Sequence, residues 1–224
     1  MTGISLARPW IEFDLGETMQ VLSWAINRPG FVTANRILWR EVRNADLPPD
    51  LDVTEWLNAE LTARGAQDAV AFLTSRDVRH HHQAQATVDG ITAHALATVG
   101  LSNAERIGHR MDYDNRDWGT INVAVVLSEG LAQPALIEML SIAVQARTAA
   151  VMEAGFMLPT GSATGTGTDC LAVAAPAGEQ AYAGLHTAIG EAVGKATYDA
   201  VRKGAEVWKR SNLQRQREEY RAET

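Results

Sequence analysis

Cysteine is almost missing from this chain of 224 residues, in which Cys170 stands alone. One thiol excludes an intrachain disulfide framework and fits a reducing cytoplasm. Positive charge is in deficit: 20 Lys and Arg face 27 Asp and Glu, a formal net charge of −7. That balance excludes a general nucleic-acid binder, which needs clustered cations against phosphate. No uninterrupted apolar run approaches the ~20 residues that span a bilayer, so no membrane partner is expected. Met1 to Trp10 shows no cationic start followed by an apolar stretch, so no secretory signal is expected there. Internal repeats, low-complexity tracts, paired cysteines and an H-E-x-x-H zinc motif are also absent.

What is present is ordinary globular composition, 46% apolar and 21% charged, long enough to bury a sizeable core in one domain over 1–224. Ile11–Leu15 alternates as a strand, and Ile37–Val42 and Val70–Leu73 read as two more. Asp52-Val53-Thr54-Glu55 caps a helix running to about Arg64. Asp89-Gly90 is the clearest hairpin turn, with Ala84, Ala86 and Val88 alternating before it and Ile91, Ala93, Ala95, Ala97 and Val99 sharing one face after it. Ile121–Leu127 is a more fully buried strand. Helix, strand and long helix follow at about Ala135–Gly155, Cys170–Ala174 and Leu185–Trp208. The tail from 205 to 224 carries Lys209, Arg210, Arg215, Arg217 and Arg221 interrupted by Glu218, Glu219 and Glu223, a solvated helix or frayed end. This pattern predicts an α/β fold of the α+β type: a mixed sheet with hairpins, covered by helices, with a cleft at the glycine-rich strand ends.

The most informative stretch is Thr164-Gly165-Thr166-Gly167-Thr168-Asp169-Cys170, which opens onto the apolar run Leu171–Ala174. Its glycines would let a large polar ligand approach the backbone. Three other segments frame it: Thr98-Val99-Gly100-Leu101-Ser102-Asn103-Ala104-Glu105-Arg106-Ile107-Gly108, Gly119-Thr120-Ile121-Asn122, and Tyr182-Ala183-Gly184-Leu185-His186-Thr187-Ala188-Ile189-Gly190-Glu191. In this order they resemble the adenosylcobinamide amidohydrolase family of corrinoid salvage, over roughly residues 20 to 204. The resemblance implies cleavage of the amide between the corrin propionyl arm and aminopropanol, yielding adenosylcobyric acid. Cobalt would enter only as part of the corrinoid substrate, with no resident cofactor. Alternatives are a corrinoid carrier without hydrolysis and an amidase for another substrate. The chain departs from the family at Val144-Gln145-Ala146-Arg147, where the family usually reads Thr-Glu-Ala-Lys; Gln145 projects to the solvent side of its helix. An assembly of identical chains is left open.

Helical projection sharpens the candidates. Leu136, Leu140, Ala143, Ala150, Val151 and Ala154 define a buried face, and Arg147 falls in its middle. A buried guanidinium needs a partner or a ligand, and Asp169 is the preferred one. His186 lies in the first turn of the last helix, on the apolar arc of Leu185, Ile189, Ala192, Val193, Ala196 and Ala200, where a helix N-terminus favours a neutral, basic imidazole. Asp169 or His186 would activate water, and Arg147 with the N–H groups of Gly165, Thr166, Gly167 and Thr168 would hold the oxyanion. Asn103, Arg106, Thr120 and Asn122 suit a ligand rimmed with carboxamides, and Trp24, Trp39 and Trp118 offer flat apolar surface. Cys170 reads as a small buried residue more readily than as a nucleophile. The triplet His80-His81-His82 cannot aim all its rings one way, so no metal site is expected.

Overall fold

Alternating apolar residues lay down a longer N-terminal ribbon than the sequence alone suggests. β1 (Gly3–Ala7) and β2 (Trp10–Ser23) form one hairpin, and β2 returns as β3 (Gly30–Glu41). The expected strands Ile11–Leu15 and Ile37–Val42 therefore fall on a long pair joined through residues 24–29, with Gly30, at φ +82°, opening β3 opposite Ser23. The pairing slips between Asp14 and Met19, where Gly16 sits at φ 82°, and the ribbon bends there. Helix α1 (Val53–Ala63) starts where expected, the Asp52 carboxylate accepting from Glu55 N at 2.9 Å. It buries Leu57 and Leu61 and leads to β4 (Val70–Thr74), which runs parallel to β3. The structure, a computed structural model, describes residues 2–112 and 119–223.

The second half follows the sequence pattern closely. β5 (His81–Val88) and β6 (Ile91–Val99) pair across Asp89-Gly90, whose φ values of 49° and 84° make the two-residue turn. After the short β7 (Ala104–Glu105), β8 (Ile121–Leu127) lies antiparallel to β6. Helix α2 (Gln133–Ala154) ends at Gly155 in the left-handed conformation, and three two-residue strands follow: β9 (Met157–Leu158), β10 (Gly161–Ser162) and β11 (Gly165–Thr166). β12 (Cys170–Ala175) then runs parallel to β8, so β8–α2–β12 is a crossover unit. Helix α3 (Ala188–Glu223) closes the chain and carries the basic tail within it.

The result is one mixed sheet in the order β4-β3-β2-β12-β8-β6-β5, with β1 beside β2. This is the α+β architecture expected. Helices α2 and α3 cover one face, over Ala93, Ala95, Ala97, Val123, Val125 and Val173. The small side chains of β6 let α3 come close: a Cβ on Gly204 would lie 2.6 Å from Val99 Cγ2. On the other face the sheet curls, so that Trp39 and Phe72 share a core with Leu96, Ala124 and Ala172. α1 backs the outer side of β3 and β4 over Trp10 and Leu38. Each large aliphatic group fully buried here stabilises by roughly 1.5–3 kcal/mol. α2 is apolar enough in composition and length to cross a membrane, but its buried residues Leu136, Ala143, Ala150 and Val151 pack on β12 and α3.

Candidate functional site

The Thr/Gly loop is folded around an ion pair. Arg147, on the inward side of α2, places Nη1 2.8 Å from Asp169 Oδ2 and donates to the Thr164 carbonyl at 2.8 Å. The partner read from the helical projection is thus the one the structure supplies. Asp169 also accepts from Ile121 N at 3.1 Å, from Thr166 N at 3.0 Å and from the Thr166 hydroxyl. Its side chain is only 6% exposed and that of Arg147 13%. Burial pushes the Asp169 carboxyl above its ordinary value, against the pull of Arg147 and the Thr166 and Ile121 donors.

Gly165 is where this pair needs room. A Cβ there would lie 1.9 Å from Arg147 Nη1 and 2.5 Å from Asp169 Oδ2. The close approach that glycine permits is made by the protein's own charges rather than by a ligand. A Cβ at Gly167 would meet nothing within 4 Å. The loop amides are engaged internally as well: Thr166 N donates to Asp169, Gly167 N to Asn103 O at 3.4 Å, and Thr168 N to Thr166 Oγ1 at 3.4 Å. They do not form the free set of N–H donors that the sequence reading assigned to an oxyanion.

Beside this latch, at the starts of β8 and β12, opens a cleft of about 460 Å³. One wall is Thr120, Asn122, Thr168 and Cys170; across from it stand Ala71, Phe72 and Leu73. Neither Asp169 nor Arg147 lines it. A polar network shapes the first wall. Asn103 Oδ1 accepts from Gly119 N at 3.1 Å, and its Nδ2 faces Thr168 Oγ1 at 3.3 Å. Thr168 Oγ1 donates to Gly119 O at 2.9 Å, and Thr120 Oγ1 lies 2.9 Å from Thr168 O and 3.2 Å from Asn122 Oδ1. Asn122 Nδ2 donates to Leu73 O at 2.6 Å, tying the two walls together. Gly119 is needed where the chain crosses itself, since a Cβ there would lie 2.6 Å from Ser102 N.

The rim is apolar. Trp24 is 43% exposed, with Nε1 donating to Asp169 O at 2.8 Å, and Ile26, 47% exposed, lines the cleft. Trp39 is fully buried edge-on against Phe72, so it belongs to the core and offers no docking surface. Trp118 lies outside the described residues. Cys170 faces the cleft, but burial and then the nearby Asp169 charge push its thiol up to about 12, so it stays protonated and poorly nucleophilic.

Other candidates lie elsewhere. His186 is exposed in a turn before α3, not in its first helical turn; Thr187 Oγ1 accepts from Gly190 N at 3.0 Å and caps the helix. His186 is not among the residues that line the cleft. Leu185, expected on the apolar arc, is 66% exposed. Arg106 packs over Gly161 and donates to Ser162 O at 3.2 Å, away from the cleft lining. The histidine triplet splits: His81 Nδ1 lies 2.8 Å from Val78 O, and His82 turns toward α3. Among the described residues no three His, Cys, Asp or Glu side chains are grouped to hold a metal. The sequence reading missed Arg43, Leu73 and Ser75 in the lining. They sit just beyond β3 or at the end of β4, and the only sequence signal for them is the position of those strand ends.

No curated protein sequence matches the chain. Gln145 is exposed on α2, its Nε2 donating to Ser141 Oγ at 3.1 Å, away from both latch and cleft. The profile of the adenosylcobinamide amidohydrolases, hydrolases acting on a corrinoid in its salvage, matches residues 2–213, and the chain belongs to that family.

Proposed function

We propose that the protein hydrolyses the amide between the corrin propionyl arm and aminopropanol in adenosylcobinamide, releasing adenosylcobyric acid and aminopropanol. Water adds its oxygen to the acyl carbon, and its protons pass to the departing amine and to solvent. Asn122 carries this reading. It is 1% exposed on the cleft wall, and its bonds to Leu73 O and Thr120 Oγ1 use one N–H and one lone pair. The other N–H and lone pair remain for a substrate amide. The Thr120 and Thr168 hydroxyls flank it, Ile26 lines the cleft, and exposed Trp24, bonded to Asp169 O, offers a flat apolar face to the macrocycle.

In this reading Asp169 and Arg147 hold the Thr/Gly loop against the cleft, because four donors already occupy the Asp169 carboxylate. His186 takes no part in the chemistry. Cobalt arrives with the substrate and no resident cofactor is required, so turnover survives EDTA. The test incubates pure protein with adenosylcobinamide and separates products by chromatography. Adenosylcobyric acid should appear, and Asn122→Ala should abolish it with the circular-dichroism spectrum unchanged. Binding without cleavage by the wild type would overturn the hydrolytic reading. Full activity in Asn122→Ala would move the reaction out of this cleft.

A further inference from the structure

The most unusual charges outside the site lie where the link from β4 to β5 meets α3. Arg76 is held there by its backbone N–H, which donates to Thr74 Oγ1 at 3.1 Å. Its Nε and Nη2 are buried and meet no partner among the described residues. His82, whose ring feels the Arg76 charge, buries Nε2 without a partner among the described residues. α3 presses on that ring: a Cβ on Gly204 would lie 3.0 Å from His82 Cδ2, and Lys203 is the preceding residue. His80 sits exposed at the edge of the same link.

A half-buried guanidinium with two idle donor nitrogens is costly unless something accepts from it. The acid beside it does not. Asp77 is taken up by Arg79, which donates from its backbone N at 2.9 Å and from Nε at 3.0 Å, and Arg8 stands 4.0 Å away. Burial, and then the positive charges of Lys203 and Arg76, bring the His82 imidazole down to about 4. The nook is therefore a concentration of positive charge with unused donors, beside an acid, Asp77, whose oxygens are already held by Arg79.

We propose that Arg76, His82 and Lys203 form a binding site for a small oxyanion of the phosphate class, separate from the amide-binding cleft. Arg76 supplies a two-point N–H fork, Lys203 a mobile point charge, and His82 a ring nitrogen that becomes a third donor once the anion is present. This does not depend on the hydrolytic reading. The link begins at Ser75, which lines the cleft, whereas Arg76, His82 and Lys203 do not.

The experiment titrates inorganic phosphate into the full chain at pH 7 and constant ionic strength, followed by calorimetry and by the histidine ring signals in NMR. Saturable binding is expected, with His82 gaining a proton as the site fills. Arg76→Met and Lys203→Met should each weaken binding roughly tenfold or more, and Arg76→Lys should restore part of it. Arg79→Met, which removes an exposed cation already paired with Asp77, should leave it unchanged. Phosphate should raise the melting temperature of the wild type but not of Arg76→Met, which separates site loss from misfolding. No saturable binding, or equal weakening by Arg76→Met and Arg79→Met, would overturn the proposal, the latter showing diffuse surface charge only.

Discussion

Two aspartates in this protein are each paired with an arginine, and they behave oppositely. Asp77, whose side chain is 26% exposed, takes three donors from Arg79, which is 62% exposed. Those bonds hold its carboxyl below the usual carboxylate range. Asp169 takes as many donors and a closely placed arginine, yet burial pushes its carboxyl upward. The same pairing thus gives opposite directions, because water is available to one carboxylate and withdrawn from the other. A surface pair of the first kind stabilises by well under ~1 kcal/mol. A buried one adds little when intact but is expensive to break on one side only.

The sharpest way to break this contrast is Arg147→Ala, which strands the Asp169 carboxylate. It should cost about 3–5 kcal/mol in urea unfolding. Adding Asp169→Asn to it should cost little more than the worse single change, since the two act as a unit. Fully additive losses would show independent residues and sink the latch. Next comes Gly165→Ala, whose new methyl collides with both charges and should cost roughly 1–3 kcal/mol. Gly167→Ala, facing open space, should stay within about 0.5 kcal/mol; equal losses at the two glycines would refute the steric account.

Smaller effects should carry opposite signs with pH. The lowered carboxyl of Asp77 gives stability that is present above its unfolded value near ~3.9 and fades as pH falls toward its folded value. Asp77→Asn should therefore lose less than the wild type on acidification. The raised carboxyl of Asp169 gives stability that is full below the unfolded value and is lost as pH rises through the folded one. Asp169→Asn should accordingly lose more than the wild type on acidification. Unfolding free energies at pH 7 and pH 3 for the three proteins decide it, and matching slopes would erase the distinction. The smallest effect is expected at Cys170→Ser, with most turnover kept. Iodoacetamide should label Cys170 far more slowly at pH 8 in the folded protein than in urea, since a thiol pushed up to about 12 is almost wholly protonated.

Local chemistry was legible wherever it is short-ranged. Asp89-Gly90 dictates its own hairpin, and the 3.6-residue period placed Arg147 inward among Leu136, Ala143 and Val151. Asp169 stood out as its partner because it closes the Thr/Gly loop at a strand edge and a buried guanidinium needs an opposite charge. Pro29-Gly30 is an equally local break signal that marks the start of β3, but the irregularity between Asp14 and Met19 obscures how long β2 is. Thr187 is a capping residue type, and taking it as the cap starts α3 at Ala188 and leaves His186 outside. The location of the cleft was not legible. It arises from the curl that brings β4 over β8, a long-range event with no period in the sequence. For the same reason the sequence could not show that Asp169 and Arg147 stand behind the cleft instead of inside it.

The bond from Asn122 to the Leu73 carbonyl joins residues 49 apart, each from a different half of the curled sheet. Such a closure forms only after both halves exist, because loop entropy is spent before the contact returns anything. The cleft should therefore be among the last features to appear in folding and the first to open in native-state hydrogen exchange. A ligand spanning both walls would act as a clamp on that final step, slowing unfolding more than it speeds folding.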